Sequence, residues 1–202
     1  MIDVFLPYTN ETTTISIVSQ LKNEPLIHKI YLLTDQDTEI KLESVEVIHI
    51  NSLFATTTIK KIAEFSSSNY SLLIIKPLEI IFEENGITKL LKTAKSLNTG
   101  LLYSNFYENK NGEITKHPVI DFQIGSIRDD FDFGAVILLN SNALKQTVIE
   151  MNNNYNFAGL YELCLKISQS YPIEKINEFI YAVKETDTRK SGEKQFDYVN
   201  PK

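Results

Sequence analysis

Four carboxylates crowd one short stretch. In "DFQIGSIRDDFDFG", Asp121, Asp129, Asp130 and Asp132 fall within twelve positions, with Arg128 among them. Carboxylates at close quarters raise one another's proton affinity, and a general base working near neutral pH needs that shift. Asp132, next to the apolar run "GAVILL", is the one of the four least suited to a free surface, while Asp129 also reads as a helix cap in a solvated loop. A second group closes the apolar run of "YSLLIIKPLEII", where Lys76, Pro77, Leu78 and Glu79 follow one another. A lysine there is a compact positive charge suited to phosphate. The three histidines, His28, His49 and His117, lie far apart and read as strand-edge residues rather than a metal trio. The single cysteine, Cys164, sits in the apolar "YELCLKIS" and reads as a buried, inert thiol. One cysteine excludes an internal disulfide and a multi-cysteine zinc site. The P-loop, G-x-G-x-x-G, H-E-x-x-H and G-x-S-x-G patterns are all absent.

The elements that must position these groups alternate. "IDVFLP" is a β-forming run ended by Pro7. After Asn10, Ile15, Val18 and Leu21 recur at helical spacing, with Glu11 at the helix start. "HKIYLLTD" predicts a second strand ending at Asp35, and "VEVIHI" a third over 45–50. "TTTIKKIAEF" predicts a helix stopped by serines, and "YSLLIIK" a fourth strand. Another helix places Ile87, Leu90, Leu91 and Ala94 on one face and stops at Gly100, before a fifth strand in "LLYSNFYE". Asn111-Gly112 is a tight-turn dipeptide, so Tyr103 to Lys116 reads as a hairpin or a strand with an excursion. The acid-rich stretch reads as a loop with a short helix near Ile127, followed by a strand over 135–140 and a helix capped by Ser141. "FAGLYELCLKISQS" predicts one more helix, and "PIEKINEFIYAVKE" a terminal strand. This rhythm implies an α/β fold, a three-layer sandwich around a mostly parallel mixed sheet.

In such a sheet, ligands bind beyond the carboxyl ends of the strands, where strand order reverses. Pro7, Tyr8 and Asn10, then Asp35, then Lys76 and Glu79 stand at three of those ends. Together they offer an aromatic face, an amide, carboxylates and a cation, an inventory that fits a nucleotide. Asp35 and Asn10 read equally well as turn and cap residues.

"VFLPYTN", "IYLLTD", the threonine-rich helix and "YSLLIIKPLEII" resemble the nucleotide-binding half of family-two glycosyltransferases with the GT-A fold. "FDFGAVILLNSNAL" and "YELCLKIS" resemble that family's acceptor-side strand and helix, so the likeness spans roughly residues 1 to 170. The resemblance implies an inverting transfer of a sugar from a nucleotide donor, usually UDP-linked, to an acceptor hydroxyl, in polysaccharide or glycoconjugate assembly. It implies that Pro7, Tyr8 and Asn10 line the base and ribose pocket and that Asp35 binds the uracil edge.

Three positions depart from the family pattern. Lys76 and Leu78 stand where an Asp-x-Asp would hold Mn²⁺ or Mg²⁺, leaving Glu79 as the sole acid there and the metal unassigned. Thr56-Thr57 replace an Arg-Asn, and Gly159-Leu160 replace the Glu-Asp that carries the base. Two readings follow. In one, Lys76 takes the metal's part and a base comes from the acid cluster, Asp130 or Asp132, with Asp129 beside them and Asp121, Arg128 and Phe131 on the acceptor side. Phe131 and Phe133 then offer a sugar-stacking face, or simply core packing. In the other, the domain is catalytically silent and binds a nucleotide, a sugar or a partner. A nucleotidyltransferase is a third class, lowered because "PYTNETTT" lacks a glycine-rich loop.

The chain has 202 residues, enough for one domain over 1–185, with a nucleotide-binding half (1–95), an acceptor half (96–185) and a polar tail (186–202). The tail suits an exposed end or a connection to a further domain or partner. With 43% hydrophobic and 23% charged residues the composition is that of a folded protein, and a net charge of −6 without a basic stripe argues against nucleic acid. No signal-like segment and no long apolar run occur. The cytoplasm is the expected compartment, at the inner face of the membrane where a sugar acceptor is lipid-linked.

Overall fold

The computed structural model describes residues 1–35, 40, 42–110, 112–125 and 131–185. β1 (Ile2–Pro7) is buried from Ile2 to Leu6, as a central strand covered on both faces must be. α1 (Glu11–Lys22) begins where Asn10 accepts a hydrogen bond from the Thr13 N–H at 2.9 Å. Its inner face is Thr14, Ile17, Val18 and Leu21, the spacing of one helical stripe. β2 (Ile27–Thr34), β3 (Glu46–His49), α2 (Thr56–Phe65) and β4 (Tyr70–Ile74) complete the first half. Then follow β5 (Glu79–Phe82), α3 (Gly86–Leu97), β6 (Leu101–Lys110), β7 (Glu113–His117), β8 (Val136–Asn140), α4 (Ser141–Ile149), α5 (Gly159–Ser170) and β9 (Ile173–Glu185).

The sheet runs β3-β2-β1-β4-β8-β6-β9-β5, with β7 paired to β6. β1 lies parallel between β2 and β4, with Phe5 level with both Tyr31 and Leu73. From β1 the chain builds outward to β2 and β3, then returns to lay β4 on the other side, so strand order reverses between β1 and β4. β8 enters antiparallel to β4 and β6, while β9 runs parallel to β6 and antiparallel to β5. Helices cover both sides. α2, α4 and α5 pack on one another, and α1 and α3 pack on β5 and β9. The layered α/β architecture expected from the alternating pattern is the one observed. No described helix is long and apolar enough to cross a membrane.

Two local expectations change. Asn140, not Ser141, caps α4: its Oδ1 accepts from the Asn142 and Ala143 N–H groups at 3.0 and 3.2 Å, because the extended backbone of β8 leaves it at the cap position. "PLEIIF", where no strand was expected, contains β5 at the far end of the sheet. Gln20 of α1 covers the outer edge of β5, donating to the Ile80 carbonyl at 3.0 Å and accepting from the Phe82 N–H at 3.1 Å. A side chain thus does a neighbouring strand's work at that edge.

At the opposite ends of the parallel strands, Asp3 is fully buried and holds the turn between α2 and β4. It accepts from the Ser67 and Ser68 N–H groups, both at 2.6 Å, and meets His28 Nδ1 at 2.9 Å.

Candidate functional site

Parallel pairing brings the carboxyl ends of β1, β2 and β4 to one edge. β8, being antiparallel to β4, starts at that same edge. Here lies a cavity of about 410 Å³. The end of β4 contributes Ile75, Lys76 and Pro77, and the approach to β8 contributes Phe131, Asp132, Phe133 and Gly134. α5 and the turn before it add Phe157, Leu160, Tyr161 and Cys164, and Phe54 enters from the turn before α2.

The last two segments are locked together. Thr56 N–H donates to the Tyr155 carbonyl at 2.9 Å, and Gly159 N–H to the Phe54 carbonyl at 2.7 Å. A Cβ on Gly159 would stand 2.5 Å from the Thr56 nitrogen, so only glycine lets α5 start against α2. Thr56 serves this packing: its Oγ1 also accepts from the Tyr155 N–H at 3.1 Å.

Lys76 Nζ donates to Asp132 Oδ1 at 3.0 Å, and the pair is half-exposed, with 39% and 38% of the side chains accessible. His117 Nε2 meets Asp132 Oδ2 at 3.2 Å, and its Nδ1 meets Glu108 Oε1 at 2.9 Å. Phe106 holds this group from below, stacked on His117 at 4.4 Å and on Tyr181 at 5.4 Å, with Lys76 Nζ 5.5 Å from its ring centre. Burial pushes the Asp132 carboxyl up, but hydrogen bonds from Lys76 and the Gly134 N–H, the Lys76 charge and His117 outweigh it, so the carboxyl lies below its usual range. Gly134, at φ +80°, takes the left-handed turn that aims its N–H at Asp132 Oδ1 (2.9 Å). Tyr181 Oη accepts from the Ala135 N–H at 2.6 Å, and burial raises the Tyr181 phenol far above its ordinary value. Burial likewise pushes the Cys164 thiol up to about 12, so it lines the cavity as a neutral thiol.

The residues expected to act together are dispersed. Lys76, Phe131 and Asp132 line the cavity, and Pro7, Tyr8 and Asp35 stand at the same edge of the sheet without being among its lining residues. Asn10 caps α1. Glu79 lies elsewhere: β5 carries it to α1 and β9, where its carboxylate accepts from Ser16 Oγ at 3.2 Å and pairs with Lys184 at 3.1 Å. Asp121 pairs with Lys175 at 2.6 Å and does not line the cavity. Arg128, Asp129 and Asp130, with the helix expected near Ile127, lie outside the described residues. Sequence reasoning missed Glu108 and treated His117 as an ordinary edge residue. Only the β6–β7 register, which sets Phe106 opposite His117, brings them to Asp132.

The described residues do not fit a divalent cation. Among them no group of three His, Cys, Asp or Glu is placed to hold a metal ion, and the end of β4 presents the Lys76 ammonium to the cavity.

The fold is shared with solved structures. The chain is similar to S. aureus TarS 1–349 with a TM-score of 0.62 and 11% identity, over 91% of this chain and 60% of that one. The fold is that of a GT-A-like glycosyltransferase. The same protein in complex with UDP gives 0.61 and 11% identity over 92% of this chain and 60% of that one. Its complex with UDP-GlcNAc gives 0.60 and 13% identity, over 92% and 59%. This chain thus spans about 60% of the neighbour's length. No family model matches the sequence, and no curated protein matches it.

Proposed function

We propose that this chain transfers a sugar from a nucleotide donor, UDP-linked, to an acceptor hydroxyl, with inversion, in the assembly of a polysaccharide or glycoconjugate. The observation that carries this reading is the half-exposed Lys76–Asp132 pair lining a cavity between the carboxyl end of β4 and the start of β8 in a GT-A-like sheet. Residues 1–95 form the donor side, with Pro7, Tyr8, Asn10 and Asp35 toward the nucleoside. Residues 96–185 form the acceptor side, with Asp121, Arg128 and Phe131.

Without ligand, Lys76 and Asp132 neutralise each other. A diphosphate competes for the Lys76 ammonium and leaves Asp132 less stabilised as an anion, so its proton affinity rises when a base is needed. The acceptor oxygen then bonds to the anomeric carbon as its proton passes to Asp132. The carbon–oxygen bond to the diphosphate breaks, and UDP departs with the bonding pair, its charge met by Lys76.

Calorimetric titration with UDP, with and without Mn²⁺, tests the donor side. Binding that persists without Mn²⁺ supports the role of Lys76, a steep dependence on the metal removes it, and no binding to any nucleoside diphosphate ends the transferase reading. Asp132→Asn should lower donor turnover by about 10²–10⁴-fold if it is the base. Asp130→Asn and Asp129→Asn, measured beside it, test the neighbouring carboxylates. A second reading, a silent nucleotide- or sugar-binding module, is favoured by the low proton affinity of Asp132 and by Gly159 and Leu160 at the family's base position. UDP binding without turnover in the unaltered protein would select it.

A further inference from the structure

The cavity's walls are apolar almost throughout. Phe54, Ile75, Phe131, Phe133, Phe157 and Leu160 face it, and among the described residues its charged groups are the Lys76–Asp132 pair. In that pair the two charges offset each other until a ligand separates them. A sugar filling this space alone would lay its C–H face on the phenylalanine rings, and its rim hydroxyls beyond reach of Lys76 and Asp132 would meet mostly apolar wall. The volume, about 410 Å³, is within the roughly 300–1,000 Å³ of pockets that hold a small organic molecule. Phe157 is 78% exposed and Tyr161 37%, so aromatic surface meets water where the cavity opens and gains most from being covered.

The walls also favour a ring over a chain. Phe131 and Phe133 lie 4.6 Å apart at 50°, and Tyr103 meets Phe133 edge-on at 5.1 Å. These fixed, tilted rings leave faces and edges to which a flat aromatic guest is complementary. Tyr103 is itself anchored by donating to the Ile120 carbonyl at 2.8 Å, so this wall is rigid before a ligand arrives.

We propose that the cavity binds an acceptor carrying an aromatic ring next to its hydroxyls, the ring among Phe54, Phe133 and Phe157 and one hydroxyl at the Asp132 carboxylate. The molecule's role as acceptor rests on the transferase reading; its binding does not. The 4-nitrophenyl glycosides of glucose, galactose and N-acetylglucosamine, each titrated against its methyl glycoside without nucleotide, test the preference. At least one aryl glycoside should bind ten-fold or more tightly than its methyl partner, and Phe157→Ala and Leu160→Gln should each weaken it five-fold or more. Phe157 is too exposed for its loss to unfold the core, and a melting curve checks each variant. Equal affinity within every pair, no binding by any aryl glycoside, unchanged affinity in both variants, or an octyl glycoside that binds as tightly would each overturn the proposal. Titration with UDP is read separately: its failure removes the transferase reading and leaves the ring preference standing or falling on its own data.

Discussion

Asp132 has its low proton affinity from donors that come from three different segments: Lys76, His117 and the Gly134 N–H. Replacing Lys76 with Met removes the nearest cation, so the Asp132 carboxyl should titrate at higher pH, as read by carbon NMR of the side chain. UDP should move it in the same direction; a carboxyl that stays put would show that the pair does not open. Asp3 differs in being fully buried. Burial alone would raise its proton affinity, but the Ser68 N–H, His28, the Ser67 N–H and the Ser68 hydroxyl reverse the shift and hold it below the usual carboxylate range. Both groups have folded values below the unfolded ones, so the stability they contribute is present above about pH 4 and is lost as pH falls through the folded values. Asp3→Ala strands two backbone donors and should cost about 3 kcal/mol or more in urea unfolding at pH 7. A loss under 1 kcal/mol would mean that water replaces the carboxylate.

At the scale of elements, two glycines decide how the cavity is assembled. Gly134 combines a φ of +80° with a position where a Cβ would overlap Tyr181 Oη, so Gly134→Ala strains the backbone and disturbs the turn holding Asp132. Gly159→Ala would push α5 off the first turn of α2. Each should destabilise by roughly 1–3 kcal/mol, the usual cost of overpacking, with melting temperature as the readout. The two should separate in a second measurement: Gly134→Ala moves the Asp132 titration and Gly159→Ala leaves it in place. The helices and most strands were legible because each has its own period and stop signal, as in the stripe of Ile87, Leu90, Leu91 and Ala94. β5 was not legible, because four residues after a proline carry too little pattern, and its strand character depends on β9 and Gln20.

For the molecule as a whole, donor binding must appear as stability. A ligand that binds only the folded state stabilises by about 2.7 kcal/mol at one hundred times its Kd. For a chain of 202 residues that is a rise in Tm of roughly 5–10 °C with UDP and no metal. Lys76→Ala should shrink the rise at the same UDP concentration; a full rise in that variant would place the phosphate elsewhere. The sequence by itself determined the alternation of strands and helices, the absence of the common phosphate and metal motifs, and the arrival of Lys76 at a strand's carboxyl end. These follow from local periodicity and residue chemistry. Only the tertiary structure decided what Lys76 meets. Antiparallel β8 brings Asp132 to it from 56 residues away, the β6–β7 hairpin adds His117 and Glu108, and β5 carries Glu79 off to Lys184. Strand register and strand order set these partners, and neither is written in any one stretch of the chain.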